Sequence, residues 1–108
     1  MQIPDITHLQ FKVLCQLAGR ERCGAEVREQ LRQVGVRQTG PAFYQMMSRM
    51  EKAGWVEGWY EQAEIEGQVV KTRRYRLTEP GAKALRQTRE FYLESLRRLE
   101  ENEGLAGA

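Results

Sequence analysis

The stretch Gln38 to Thr78 constrains the fold most, because a helix pattern there gives way at once to two strand patterns. Phe43, Met46, Met47 and Met50 follow the spacing of one buried helix face, and the methionines read as core filler. Ala42, Gln45, Ser48, Arg49 and Lys52 fall on another face, with Tyr44 at the border. Pro41 suits a first helical turn, where its missing N–H has no intrahelical partner, and Thr39 or Gly40 is the cap. Gly54 stops the helix. Trp55–Glu64 and Val69–Leu77 then alternate in the manner of strands, rich in aromatic and β-branched residues.

The two strands differ sharply in charge. Glu57, Glu61, Glu64 and Glu66 mark the first strand and the turn with no basic residue among them. Lys71, Arg73, Arg74 and Arg76 mark the second with no acid. A tight turn at Glu66-Gly67 sets Ile65 opposite Gln68, Val56 opposite Leu77, Gly58 opposite Tyr75 and Tyr60 opposite Arg73. The other face then pairs Glu57 with Arg76 and Trp59 with Arg74. Opposite charges across a ladder are favourable by roughly 0.2–1 kcal/mol each, so part of the basic strand is expected to be neutralised internally. Lys71 and Arg73, towards the tip, are expected to stay free for phosphates, with Arg74 a further candidate on this strand.

The polar face of the Pro41–Lys52 helix carries the base-reading case. Gln and Arg pair in bidentate fashion with adenine and guanine edges in a major groove. Ser, Tyr and Lys commonly hydrogen-bond phosphates. Thr39, Tyr44, Gln45, Ser48, Arg49 and Lys52 are therefore the candidate reading-helix contacts. The formal net charge is only +2, so distribution rather than bulk charge makes the case for nucleic acid.

The rest of the chain reads as scaffold. Thr7 and Gln10 form a capping box for a first helix, whose stripe runs through Ile6, Leu9, Val13, Leu14 and Leu17 and is widened by Phe11 and Cys15. Gly19 is its expected left-handed stop, and Arg20–Arg22 a charged connector. A second helix runs from about Gly24 to Val34, with Val27, Leu31 and Val34 inward, Arg28 and Arg32 on a solvated face, and Gly35 as the stop. Thr78 caps a last helix carrying Ala82, Leu85, Tyr92, Leu96 and Leu99 as an apolar seam, widened by Phe91 and Leu93. So long a helix has little of its own domain to pack against, and a second copy of the chain is the simplest partner. Leu85, Tyr92, Leu96 and Leu99 are the expected dimer contacts.

A chain of 108 residues makes one core-bearing unit. Its fold class is mainly α with a small β-hairpin: a winged helix-turn-helix over residues 1–78, a dimerisation helix over 79–103, and a frayed tail over 104–108. No apolar run reaches membrane-spanning length and the N-terminus lacks the character of a signal peptide, which reads as cytoplasmic. Cys15, Cys23 and His8 make a poor metal set, and both thiols are expected to be reduced and packed in or near the core. No cofactor motif is present. Catalysis is disfavoured by the lack of a nucleophile–base grouping, paired carboxylates or a phosphate-cradling loop.

Tyr44 through Val56, Y-Q-M-M-S-R-M-E-K-A-G-W-V, resembles the Y-P-A-L-R-R-L-E-x-x-G-L-V run of PadR-like winged-helix transcriptional regulators. Arg73 to Thr78 with Gly81 is similar to that family's R-K-Y-Y-R-L-T-x-x-G. The resemblance covers about Leu9 to Leu99; MarR-like regulators share the broader helix–glycine–strand logic. It implies a dimeric repressor with its third helix in the major groove of double-stranded DNA, its wing along the backbone, and a dimer formed through the last helix. Tyr44 and Arg49 match motif positions of the reading helix and Arg73 a basic wing position. Gln45 replaces the family's proline and Ser48 an arginine, so base preference should differ. The resemblance is to short members without a separate effector domain. A small-molecule effector would then use the dimer interface, with Trp55, Trp59, Phe91 or Tyr92 lining it. The competing reading is a winged-helix module that docks a protein and does not touch DNA, motivated by the acidic Glu57–Glu66 stretch.

Overall fold

The computed structural model describes residues 3–106. Four helices, α1 (His8–Leu17), α2 (Gly24–Gln33), α3 (Gly40–Lys52) and α4 (Glu79–Ala106), surround a three-stranded sheet of β1 (Arg22–Cys23), β2 (Val56–Ile65) and β3 (Gln68–Leu77). The strand order is β1-β3-β2 and both pairings are antiparallel. Among the described residues, no helix is long and apolar enough to cross a membrane.

Local chemistry accounts for most boundaries. Thr7 and Gln10 form the expected capping box on α1. Thr39 Oγ1 accepts from Ala42 N at 3.2 Å at the start of α3. Thr78 Oγ1 accepts from Gly81 N at 3.0 Å and donates to the Gly54 carbonyl at 2.5 Å, tying the start of α4 to the end of α3. Gly35 and Gly54 take positive φ values of 85° and 84°, the backbone conformation these helix stops require. Gly19 does not; α1 ends at Ala18 in ordinary helical geometry.

Three further expectations are corrected. The connector after α1 is not wholly irregular, because Arg22 and Cys23 pair with Tyr75 and Arg74 as a short third strand. Cys15 is exposed rather than in the core, and Cys23 is half-buried. The last helix, expected to end near residue 103, runs on to Ala106; residues 107–108 of the expected tail lie outside the described residues.

Val13, Leu14, Val27, Leu31, Phe43, Met47 and Met50 are fully buried and join α1, α2 and α3 in one core. Burying each such side chain is worth about 1.5–3 kcal/mol before the entropy of ordering it. The sheet adds Val56 and Tyr75 to this core only at its root. From Tyr60 to Lys71 every residue of the hairpin is exposed, so the wing stands away from the body.

The face of α4 that packs inward differs from the expected seam. Gly81, Ala84 and Thr88 are its buried residues, and Thr88 returns its hydroxyl to the Ala84 carbonyl at 2.8 Å. Leu85 packs partly against the core, while Ala82 is only half-buried. Tyr92 meets Phe11 edge-on at 5.0 Å, and its hydroxyl lies 3.0 Å from His8 Nδ1. Beyond Tyr92 the helix leaves its domain. The radius of gyration is 17.1 Å, with a longest extent of 65 Å; a compact chain of this size has about 13 Å.

Candidate nucleic-acid interface

The reading-helix candidates fall into two rows on α3. Gln45, Arg49 and Lys52, spaced by four and three residues, are all exposed and share one stripe. No carboxylate pairs with Arg49 or Lys52 among the described residues; the ion pairs of this region use Glu51, Glu57 and Glu61 with the wing arginines instead. This stripe carries charge and amide groups that are free to meet a ligand.

Tyr44, Ser48 and Glu51 form the neighbouring row, which turns towards the wing. With Tyr60, Lys71, Arg73 and Tyr75 they line an open groove of about 430 Å³ between α3 and the hairpin. Tyr44 stands at one end of this groove, edge-on to Phe43 at 5.1 Å and over Gly24. A Cβ at Gly24 would sit 2.9 Å from the Tyr44 hydroxyl, so a larger residue there would displace the Tyr44 ring. Thr39 is exposed at the start of α3, with its hydroxyl oxygen engaged by the cap and its proton free to be donated.

The wing register is the one the sequence predicts, from Val56 opposite Leu77 to Ile65 opposite Gln68. Glu66 and Gly67 both take positive φ, 53° and 79°, as a two-residue turn of this twist requires. Internal neutralisation goes further than expected. Arg76 binds Glu57 with Nη2 at 2.6 Å and stacks on Trp59. Arg74 Nε lies 3.1 Å from Glu61 and 3.5 Å from Glu21, an ion pair without the alignment of a hydrogen bond. The expectation that Arg73 is free is corrected. Its Nη2 donates to Glu51 Oε1 at 2.8 Å, and its guanidinium lies over Tyr60 at 4.7 Å and Tyr75 at 5.7 Å. Burial pushes the Tyr75 hydroxyl up to about 12, against the opposing influence of Arg73 beside it. Among the described residues, Lys71 alone on this strand has no carboxylate partner, its Nζ lying 5.3 Å from the Tyr60 ring.

Sequence reading missed Glu51, Gly58 and Tyr60 as parts of this site. The signal was present. Glu51 shares the Tyr44–Ser48 row, and the register places Gly58, Tyr60, Arg73 and Tyr75 on one wing face. Arg28 was read as solvated; its Nη2 instead donates to the Gln38 carbonyl at 3.2 Å, bracing the connector that delivers α3. Arg32 pairs with Glu29 on the surface, as a solvated face would.

The aromatic residues considered for an effector pocket lie in separate places. Trp55 packs against the core and Trp59 sits under Arg76 on the wing, whereas Phe91 and Tyr92 lie along α4. The groove that does form between α1 and α4 holds about 390 Å³ and is lined by Phe11, Cys15, Leu77 and Leu85 among others.

The sequence profile of the family described as "Transcriptional regulator PadR-like family" matches residues 13–87, which span α1 to the first half of α4. The chain belongs to the PadR-like transcriptional regulator family. Solved structures of transcriptional regulators share the fold. A PadR family transcription regulator from Clostridium difficile is 18% identical with a TM-score of 0.68, over 94% of this chain and 100% of that one. A transcriptional regulator from Clostridium thermocellum is 20% identical with a TM-score of 0.69, over 87% and 88%. Bacillus subtilis PadR, solved in complex with operator DNA, is 17% identical with a TM-score of 0.60, over 74% of this chain and 45% of that one. No curated protein sequence matches the chain.

Proposed function

We propose that this PadR-like chain is a sequence-specific DNA-binding repressor that acts as a dimer, with α3 in the major groove and the wing on the phosphate backbone. The observation that carries the reading is the exposed Gln45–Arg49–Lys52 stripe, whose cations have no carboxylate partner among the described residues although acids pair with the arginines of the adjacent wing. Arg49 and Gln45 supply bidentate base contacts. Thr39, Tyr44, Ser48 and Lys52 supply sugar and phosphate contacts that set the register. The wing contributes Lys71. Arg73 and Arg74 have their charge spent within the protein. The operator complex of Bacillus subtilis PadR supports the reading by likeness of fold.

The dimer rests on α4. Phe91, Leu93, Leu96 and Leu99 are 45–54% exposed on a helix that has left its own core. A second α4 would cover this surface, with Leu85 and Tyr92 closer to the protomer's own body. Antiparallel or crossed pairing would place two α3 helices on one side of the molecule, as a two-fold symmetric site requires.

Selection of bound fragments from a random duplex pool tests the reading. It should return a pseudo-palindrome with half-sites about one helical turn apart. A stoichiometric protein partner captured with no nucleic acid, and no enrichment of any duplex, would replace it with the protein-docking reading.

A further inference from the structure

The wing is a cantilever. Only Ala53–Trp55 separates α3 from β2, and the sheet reaches the core at its root, through Val56, Tyr75 and the half-buried Leu77. Hydrogen bonds from Trp55 N to the Met50 carbonyl and from Thr78 N to the Trp55 carbonyl hold that root, while every residue from Tyr60 to Lys71 is exposed. Among the described residues, one side-chain hydrogen bond spans from α3 to the hairpin: Arg73 Nη2 to Glu51 Oε1, at 2.8 Å.

We propose that the Glu51–Arg73 pair is a latch that fixes the wing's angle on the reading helix, making both side chains positioning residues rather than DNA contacts. The inference rests on the DNA-binding reading. The surroundings are built for such a pair. The two side chains are 24% and 27% exposed, so water screens them less than it screens the surface pairs of this chain. Tyr60 and Tyr75 flank the guanidinium on one wing face, limiting the directions in which it can swing. Gly58 opens the space between strand and helix. A Cβ there would run into the Glu51 carboxylate and come within 2.9 Å of the Arg73 guanidinium. A planar fork gripping a carboxylate also carries directional information that a lysine would not.

The consequence concerns Lys71. Its ammonium shares the Tyr60 ring with Arg73, on the same wing face. Wherever the latch sets that face, it sets the position of Lys71 relative to Arg49 and Lys52. A loosened latch leaves every DNA contact present but misplaced.

The test uses the full chain carrying Glu51→Gln, Arg73→Gln and both together, with duplex selected by the wild-type protein. Simple electrostatics says that removing a carboxylate beside DNA tightens binding. The latch says the reverse: Glu51→Gln weakens it about three- to tenfold, equivalent to roughly 0.7–1.4 kcal/mol, with the salt slope unchanged. The double variant should then be no weaker than either single one, because one interaction has been broken from two sides. In the free protein, amide order parameters over residues 60–71 should fall from about 0.85 towards 0.6 in each variant. This readout needs no DNA, so it tests the latch even if the wild-type chain binds no duplex. Equal or tighter binding by Glu51→Gln with wing order unchanged overturns the latch. So does a salt slope that drops by about 0.9 per protomer in Arg73→Gln, the mark of a direct phosphate contact.

Discussion

Lys71→Ala and Arg74→Ala remove the same formal charge from β3, three residues apart, and should have different effects on DNA binding. Lys71 is exposed with no carboxylate partner among the described residues, whereas Arg74 lies 3.1 Å from Glu61 and 3.5 Å from Glu21. Each phosphate neutralised by a free cation contributes about 0.9 to the slope of log affinity against log salt. A dimer carries two Lys71 side chains, so Lys71→Ala should flatten the slope by about 1.8. Between 50 and 200 mM salt the wild-type protein should therefore lose about twelvefold more affinity than this variant does. Arg74→Ala should leave the slope unchanged within error, because its charge is balanced before DNA arrives. Fluorescence anisotropy titrations with one duplex at four salt concentrations measure both. Equal flattening by the two variants would show that the Glu61 and Glu21 pairing does not remove Arg74 from the interface.

Two further outcomes follow from the fold. A Cβ at Gly81 would run into the Trp55 carbonyl oxygen, with Leu77 Cδ1 at 2.9 Å, so Gly81→Ala should destabilise by about 1–3 kcal/mol in urea denaturation; a gain of about 1 kcal/mol, as helix propensity alone gives, would contradict the packing. Glu94 is held at about 2, first by its hydrogen bond from Arg97 and then by that from Arg98. A depressed carboxylate stabilises above its unfolded value of 4.5 and loses that effect as pH falls through about 2. The helical circular dichroism of wild type should therefore exceed that of Glu94→Gln above pH 4.5 and converge with it near pH 2.

How much of this was legible in the sequence depended on whether an element's geometry is set locally. The wing register followed from Glu66-Gly67 and strict alternation, because a two-residue turn leaves no freedom in the pairing. Gly35 and Gly54 announced their helix ends, and the methionines of α3 their burial. The two-residue β1 was too short to show alternation, and it exists only because β3 offers a free edge. Arg73 was misjudged because its partner lies across a tertiary contact: pairing within the hairpin could be read, but the docking of the hairpin on α3 could not. On α4 the leucines drew the expected seam, yet Gly81, Ala84 and Thr88 go inward, and at Gly81 the Trp55 carbonyl leaves no room for a side chain. The α3 stripe of Gln45, Arg49 and Lys52 was visible from helical spacing alone.

The proposed division of labour, with α3 reading bases and the wing only anchoring, rests on that stripe. The direct measurement is the ratio of affinities for the selected duplex and a scrambled one, taken for wild type, Arg49→Ala and Lys71→Ala. Loss of a bidentate base contact should cost about 1–3 kcal/mol of discrimination per half-site, so over the two half-sites of the proposed dimer Arg49→Ala should collapse the ratio by about thirtyfold or more. Lys71→Ala should weaken both duplexes alike and leave the ratio intact. A ratio preserved in Arg49→Ala would contradict the account.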